Sequence, residues 1–215
     1  MLISRANRPL RCRWRRQLRQ ESLEQRLALD STVVFNELYY HPSRDQPTNL
    51  EWIELHNQMS VNMDISGWTL SDGVNFKFPE GTVVPGHSHL VVASDPAALA
   101  LATGYDQALG PLDGRISNGG ERLVLANQEG RRMNVLEYDD NQPWPVGADG
   151  SGFSLAKILE NTTSDRAENW TVSTQRNGTP GARNFSISDP IVEPLVKAGD
   201  QAEYLVPADG SVIVG

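Results

Sequence analysis

Residues 64–73 read Asp64-Ile65-Ser66-Gly67-Trp68-Thr69-Leu70-Ser71-Asp72-Gly73. Residues 65–71 read as a strand; side chains two apart share a face, so Trp68 and Leu70 make its apolar side. Asp72-Gly73 then supplies a hairpin turn. Residues 75–79 return as a second strand, with Phe76 and Phe78 alternating around Lys77. Gly67, just ahead of the Trp68–Leu70 pair, permits a close approach or a bulge.

The same signals recur on both sides of this hairpin. Residues 32–40 are rich in Val, Phe and Tyr, with the breaker Pro42 just beyond. In residues 49–57, Ile53 and Leu55 alternate with Glu54 and His56, which predicts one apolar face and one wet face. Residues 82–84 run into the turn Pro85-Gly86, and 90–93 continue as a strand. Residues 95–103 break the pattern: Asp95 can cap a helix, Pro96 suits its first position, and Gly104 ends it. Asn118-Gly119-Gly120 is a turn, and Gly supplies positive φ there without strain. Residues 121–127 and 132–138 pair around Glu129-Gly130, residues 153–158 and 169–172 are late strands, and Gly178-Thr179-Pro180-Gly181 closes the unit. Eight or nine short strands with turns between them are the pattern of an antiparallel sandwich. The expected fold class is all-β, an immunoglobulin-like antiparallel β-sandwich with one short helix inserted.

Composition agrees. The 215 residues suit one domain with short appendages, and 39% hydrophobic content suffices for a buried core. Eighteen Gly and thirteen Pro favour a turn-rich β fold over a helix bundle. No run approaches eighteen apolar residues, so no membrane span is read. One cysteine, Cys12, excludes an intramolecular disulfide or a Cys-based zinc cage within one chain.

Charge divides the chain. Residues 1–29 hold eight Arg against Glu21 and Glu24, while residues 30–215 hold 11 basic against 25 acidic residues. The acidic body repels phosphate backbones, so nucleic-acid binding by it is disfavoured. The head contains Arg11-Cys12-Arg13-Trp14-Arg15-Arg16 and reads as an unstructured leader, a targeting segment, or an arm for nucleic acid or anionic lipid. It lacks the apolar stretch of a standard secretory signal.

Two resemblances follow. The segment Glu21-Ser22-Leu23-Glu24-Gln25-Arg26-Leu27-Ala28-Leu29-Asp30-Ser31 resembles the leader that precedes the first β-domain of many large bacterial surface or secreted proteins, which implies export. The body, about residues 32–184, resembles a lamin tail domain. The matching stretches appear in order: Val34-Phe35-Asn36-Glu37-Leu38-Tyr39-Tyr40, Glu51-Trp52-Ile53-Glu54-Leu55-His56-Asn57, the stretch 64–73, Phe78-Pro79, Val84-Pro85-Gly86, Leu90-Val91-Val92-Ala93, Ser117-Asn118-Gly119-Gly120-Glu121, Trp144-Pro145, Asp149-Gly150, Ser154-Leu155, Asn169-Trp170 and Gly178-Thr179-Pro180-Gly181. The resemblance implies an immunoglobulin-like sandwich and a non-catalytic module that accompanies other domains outside the cell or at its surface.

Chemistry-bearing residues are sparse. His87-Ser88-His89 offers two imidazoles on one strand face, without an obvious third metal ligand. His41 and His56 read as isolated. Asp139-Asp140-Asn141 with Asp149, near Trp144, is an acidic cluster of the oxygen type that suits calcium, or a solvated loop making Asx turns. Alternation makes Glu37, Glu51 and Glu54 solvent-facing, which leaves them no pocket for acid–base work. No Gly-rich phosphate loop, Ser-His-Asp set or nucleophile elbow is present. The sequence therefore assigns no catalytic residue, no cofactor-binding residue and no metal ligand, with calcium at Asp139, Asp140 and Asp149 the one ion weighed. Asn161, Asn169, Asn177 and Asn184 each open an N-x-S/T sequon, which matters in a glycosylating host.

The domain expectation is a basic leader over 1–30, a lamin tail domain over 31–185, and a linker with the incomplete start of a second β-module over 186–215. A strand pair alone cannot bury a core, so the chain reads as a fragment of a larger protein. The expected function is interaction, adhesion or targeting, with a protein or surface polymer as partner. Two competing readings are a carbohydrate module, which needs exposed tryptophans, and nucleic-acid binding through the basic arm. Trp52, Trp68, Phe76, Phe78 and Trp170 are expected in the core or at its edge.

Overall fold

The structure, a computed structural model, describes residues 32–186. The basic leader of residues 1–30 lies outside the described residues, as does the expected second module apart from its first residue.

Twelve short strands and one helix make up the fold. They are β1 (Val33–Tyr39), β2 (Trp52–Asn57), β3 (Met63–Asp64), β4 (Thr69–Ser71), β5 (Val74–Lys77), β6 (Val83–Val84), β7 (His89–Ala93), α1 (Pro96–Thr103), β8 (Asp113–Gly114), β9 (Glu121–Ala126), β10 (Arg132–Tyr138), β11 (Phe153–Lys157) and β12 (Trp170–Arg176). One five-stranded sheet runs β12-β11-β1-β2-β7, the other β10-β9-β4-β5-β8, and β3 pairs with β6 at one end. All strand pairs are antiparallel. The fold is thus the expected immunoglobulin-like sandwich. β3 and β8 exceed the expected strands; at two residues each they are too short to carry a periodic signal.

The Trp68–Phe78 hairpin forms as its residues dictate. Leu70 pairs with Phe76 and Thr69 with Lys77 across the Asp72-Gly73 turn. Ahead of it the strand is shorter than the sequence suggests. Residues 65–68 make a turn, with the Trp68 N–H donating to the Ile65 carbonyl at 3.1 Å. Gly67, at φ 70°, provides the reversal.

The core lies between the sheets. Phe35, Leu38, Ile53, Leu55, Leu70, Phe78, Leu123, Leu125, Leu136 and Trp170 are all buried in it. Each full burial of such a side chain contributes about 1.5–3 kcal/mol. An inter-sheet bond adds direction: the Phe35 N–H donates to Asn134 Oδ1 at 3.0 Å.

A bulge decides what β1 presents. Phe35 pairs with Leu55 but Glu37 with Glu54, so one extra residue, Asn36, sits on β1. Val33 and Phe35 face the core before the bulge; Leu38 and Tyr40 do so after it. Glu37 and Tyr39 are thereby turned to the outer face of the sheet.

That outer face is covered, contrary to the wet face expected from alternation. A second apolar cluster of Tyr39, Leu50, Trp52, Val91, Ala93 and Leu99 packs there. Leu99 comes from α1. The helix begins as the sequence predicts, with Asp95 Oδ1 accepting from the Ala97 and Ala98 N–H groups at 3.0 and 3.1 Å. It ends at Gly104, at φ 81°, whose N–H donates to the Ala100 carbonyl.

Candidate functional site

A C-terminal strap, residues 177–185, crosses the outer face of the first sheet and is held by buried carboxylates. Glu37 accepts from the Thr179 N–H at 3.1 Å and the Thr179 hydroxyl at 2.8 Å. It also accepts from Ser154 Oγ. Glu54, its cross-strand neighbour, accepts from the Gly181 N–H at 2.6 Å and from Asn36 Nδ2 at 2.8 Å. Asn184 Nδ2 donates to the Asn36 and Lys157 carbonyls at 3.0 and 2.9 Å. Burial raises the Glu37 carboxyl to about 7, against lowering by its Ser154 and Thr179 bonds. Glu54 is also raised, by burial first and by the facing Glu37 second.

These glutamates correct the sequence reading. Glu37, Glu51 and Glu54 were expected to face solvent, yet all three are buried. The strap and α1 form a partial third layer over the sheet, and strand alternation cannot register a third layer. Glu51 holds the loop at 115–116, accepting from the Ile116 N–H at 3.1 Å and from Arg115 at 3.2 Å. The three carboxylates thus serve as acceptors that fasten loops and strap.

A second cluster lies at the end of the same face. His56 and His89 are cross-strand partners on β2 and β7, with ring centroids 4.7 Å apart. Glu160, just past β11, meets His89 Nε2 at 3.0 Å, and its other oxygen stands 3.9 Å from His56 Nε2. Arg183 of the strap pairs with that second oxygen at 3.0 Å. Burial, then the neighbouring His89, push the His56 imidazole down to about 4. Burial works against the Glu160 charge, but the His89 hydrogen bond and the surrounding positive groups outweigh it and hold the carboxyl at about 2. His56, expected to be isolated, is therefore a member of a group. His87, expected beside His89 on one strand face, sits in the preceding turn at φ 56°, because β7 begins only at His89.

Two open cavities flank this group. One, about 420 Å³, is lined by His56, His87, Glu160, Arg183 and Phe185 among others. The second, about 640 Å³, is lined by His87, His89, Tyr105 and Arg183 among others. Of the seven exposed large hydrophobics among the described residues, Ile158 and Leu159 line the first cavity, Val83 of β6 lines the second, and Met59 and Val61 lie in the loop after β2. Gln58 Nε2, in the loop after β2, ties it to the loop after β11 by donating to the Glu160 carbonyl at 3.0 Å.

The other candidates are distributed elsewhere. Asp139 holds the turn at Asn141, accepting its N–H at 2.8 Å, and Asp149 pairs with His41. Among the described residues, the group of three metal-capable side chains with ligand atoms within 4.8 Å of one another is His56, His89 and Glu160. Of the sequon asparagines, Asn161 is exposed and Asn184 is buried under its own hydrogen bonds. Trp52, Trp68, Trp144 and Trp170 are all buried, and Phe78 with them, while Phe76 packs partly buried against the core.

The ordered strands β1 to β10 and the Gly67-Trp68 turn lie within the stretch, residues 28–140, that the Lamin Tail Domain family profile matches in a sequence comparison. The chain belongs to the lamin tail domain family. Membership makes it an immunoglobulin-like interaction module, in a family of non-enzymatic domains. A comparison with curated proteins finds no match. The matched stretch stops short of β11, β12 and the strap, yet β11 and β12 complete the first sheet beside β1. The lamin tail domain of this chain therefore uses residues beyond the profile to close its sandwich. No helix among the described residues is long and apolar enough to cross a membrane.

Proposed function

We propose that this lamin tail domain is a targeting or adhesion module of a larger bacterial extracellular or surface protein, binding a protein or a surface polymer. The observation that carries the reading is the apolar sandwich end. Met59 and Val61 from the loop after β2, Ile158 and Leu159 from the loop tied to it, and Val83 of β6 are all exposed, and exposed apolar side chains of this size, where grouped, suit an interaction surface. The leader and domain resemblances support export. The carbohydrate reading is weaker, because Trp52, Trp68, Trp144 and Trp170 are buried and cannot stack on a sugar. The acidic body likewise disfavours nucleic acid.

The test is co-sedimentation of the full chain with an isolated bacterial cell envelope. The full chain should pellet. The Val61→Asp, Leu159→Asp double variant should remain in the supernatant with an unchanged circular dichroism spectrum. Equal pelleting of both, or of neither, overturns the assignment of binding to this end.

A further inference from the structure

We propose that His56, His89 and Glu160 form a binding site for a divalent transition ion of the Zn²⁺ class, with a fourth position open toward His87 and Arg183. Three observations carry it. First, two imidazoles and one carboxylate, brought together from β2, β7 and the loop after β11, place one ligand atom each within 4.8 Å of the others. A tetrahedral ion with bonds of about 2.0–2.1 Å needs its ligand atoms roughly 3.3 Å apart. His89 Nε2 and Glu160 Oε1 already stand at 3.0 Å, so the remaining adjustment is for His56 Nε2, now 3.9 Å from Glu160, to close on them.

Second, His56 is 4% exposed and its Nε2 makes no hydrogen bond to the carboxylate it faces. Its Nδ1 has no partner, and its Nε2 points at Glu160 from 3.9 Å, beyond hydrogen-bond reach. An ion between His56 Nε2, His89 Nε2 and Glu160 gives the Nε2 a partner and explains its aim.

Third, the site is reachable. One cavity is lined by His56 and Glu160 and the other by His89, and both are lined by Arg183 and His87. Arg183, half-exposed, places its guanidinium on Glu160 at 3.0 Å. It stands where an ion's positive charge would lie and can swing out, because Glu37 and Glu54 anchor the strap independently at Thr179 and Gly181. The donor set selects the ion: imidazole and carboxylate suit Zn²⁺ and its neighbours, whereas Ca²⁺ and Mg²⁺ take oxygen ligands. The fourth position takes water or the His87 imidazole.

The experiment is isothermal titration of the full chain with Zn²⁺, alongside Co²⁺ absorption as a direct report of coordination. One equivalent should bind, with the visible bands of four-coordinate Co²⁺. Glu160→Gln and His89→Ala should each weaken binding by more than about 100-fold, beyond what loss of an outer partner usually costs. Arg183→Ala should bind at least as tightly as the parent, and His41→Ala should bind equally, which separates this site from the His41–Asp149 pair. Thermal unfolding of each variant without metal establishes that it is folded. Because His56→Ala leaves a buried void, a Zn²⁺-induced rise in the unfolding temperature of the unmutated chain, abolished in Glu160→Gln, serves as the independent readout. Failure to bind one equivalent, or binding unaffected by Glu160→Gln, overturns the site.

Discussion

Glu37 and Glu54 face each other across β1 and β2 with an apolar strand on either side, and both carboxyls are raised. For Glu37 the shift is from an ordinary 4.5 to about 7, caused first by burial. A raised carboxyl means the folded chain holds the proton more tightly than the unfolded one. Its contribution is complete below about pH 4.5 and is lost as pH rises through 7. Glu54 acts in the same direction. The variant Glu37→Gln, which stays neutral, should gain on the parent by on the order of 2 kcal/mol between pH 5 and 8. Urea unfolding at both pH values checks this; a constant difference would mean that Glu37 does not titrate there. His56 and Glu160 have the opposite sign. Stability from His56 is lost as pH falls from 6.5 through 4, and that from Glu160 as pH falls from 4.5 through 2. Gly178 is the other decisive residue. It sits at φ 77°, and an added Cβ would lie 2.6 Å from both the Glu37 carboxylate and the Trp52 ring. Gly178→Ala should therefore cost about 1–3 kcal/mol from backbone strain, with packing loss added, read as a lowered urea midpoint.

At the scale of elements, local sequence accounts for most of what forms. Asp95, Pro96 and Gly104 specify α1 by capping chemistry, and the structure uses each as expected. Asp95→Ala should destabilise the protein by about 1 kcal/mol, because it frees the Ala97 and Ala98 N–H groups. It also removes the Asn49 contact at 2.7 Å. Denaturant unfolding of that variant, compared with Asp95→Asn, separates capping from loss of the side chain. The β4–β5 hairpin was equally readable, because its turn residues and its alternation are both local. The β1 bulge was not. A single extra residue is visible only through the register with β2, and it decides that Glu37 rather than Asn36 faces Glu54.

At the scale of the molecule, the first sheet is completed by β11 and β12, which lie beyond the stretch the family profile matches. A chain ending at residue 140 should fail to fold, because it leaves the β1 edge unpaired and removes Leu155 and Trp170 from the core. A chain of residues 30–186 should fold cooperatively. One ending at 176 should be less stable, since it loses the strap's hydrogen bonds to Glu37, Glu54 and the Asn36 and Lys157 carbonyls, each worth about 0.5–1.5 kcal/mol net. Dispersed amide signals in nuclear magnetic resonance spectra of the three chains would distinguish these outcomes. A folded 30–140 chain would show that β11 and β12 are accessory.

The division between sequence and tertiary structure follows from the range of the interactions. Periodicity, turn residues and caps act over a few residues, so the linear order alone determined a turn-rich antiparallel sandwich with one capped helix and its aromatic core. Burial of a polar residue depends on what crosses over it. The strap reaches Glu37 from a distance of 142 residues along the chain, and Glu160 reaches His89 from 71. No local pattern encodes such encounters. Only the folded chain turns three apparently wet glutamates into buried anchors, and only it gathers His56, His89 and Glu160 at one end of the sheet, because desolvation and pairing are properties of the surroundings rather than of the residue.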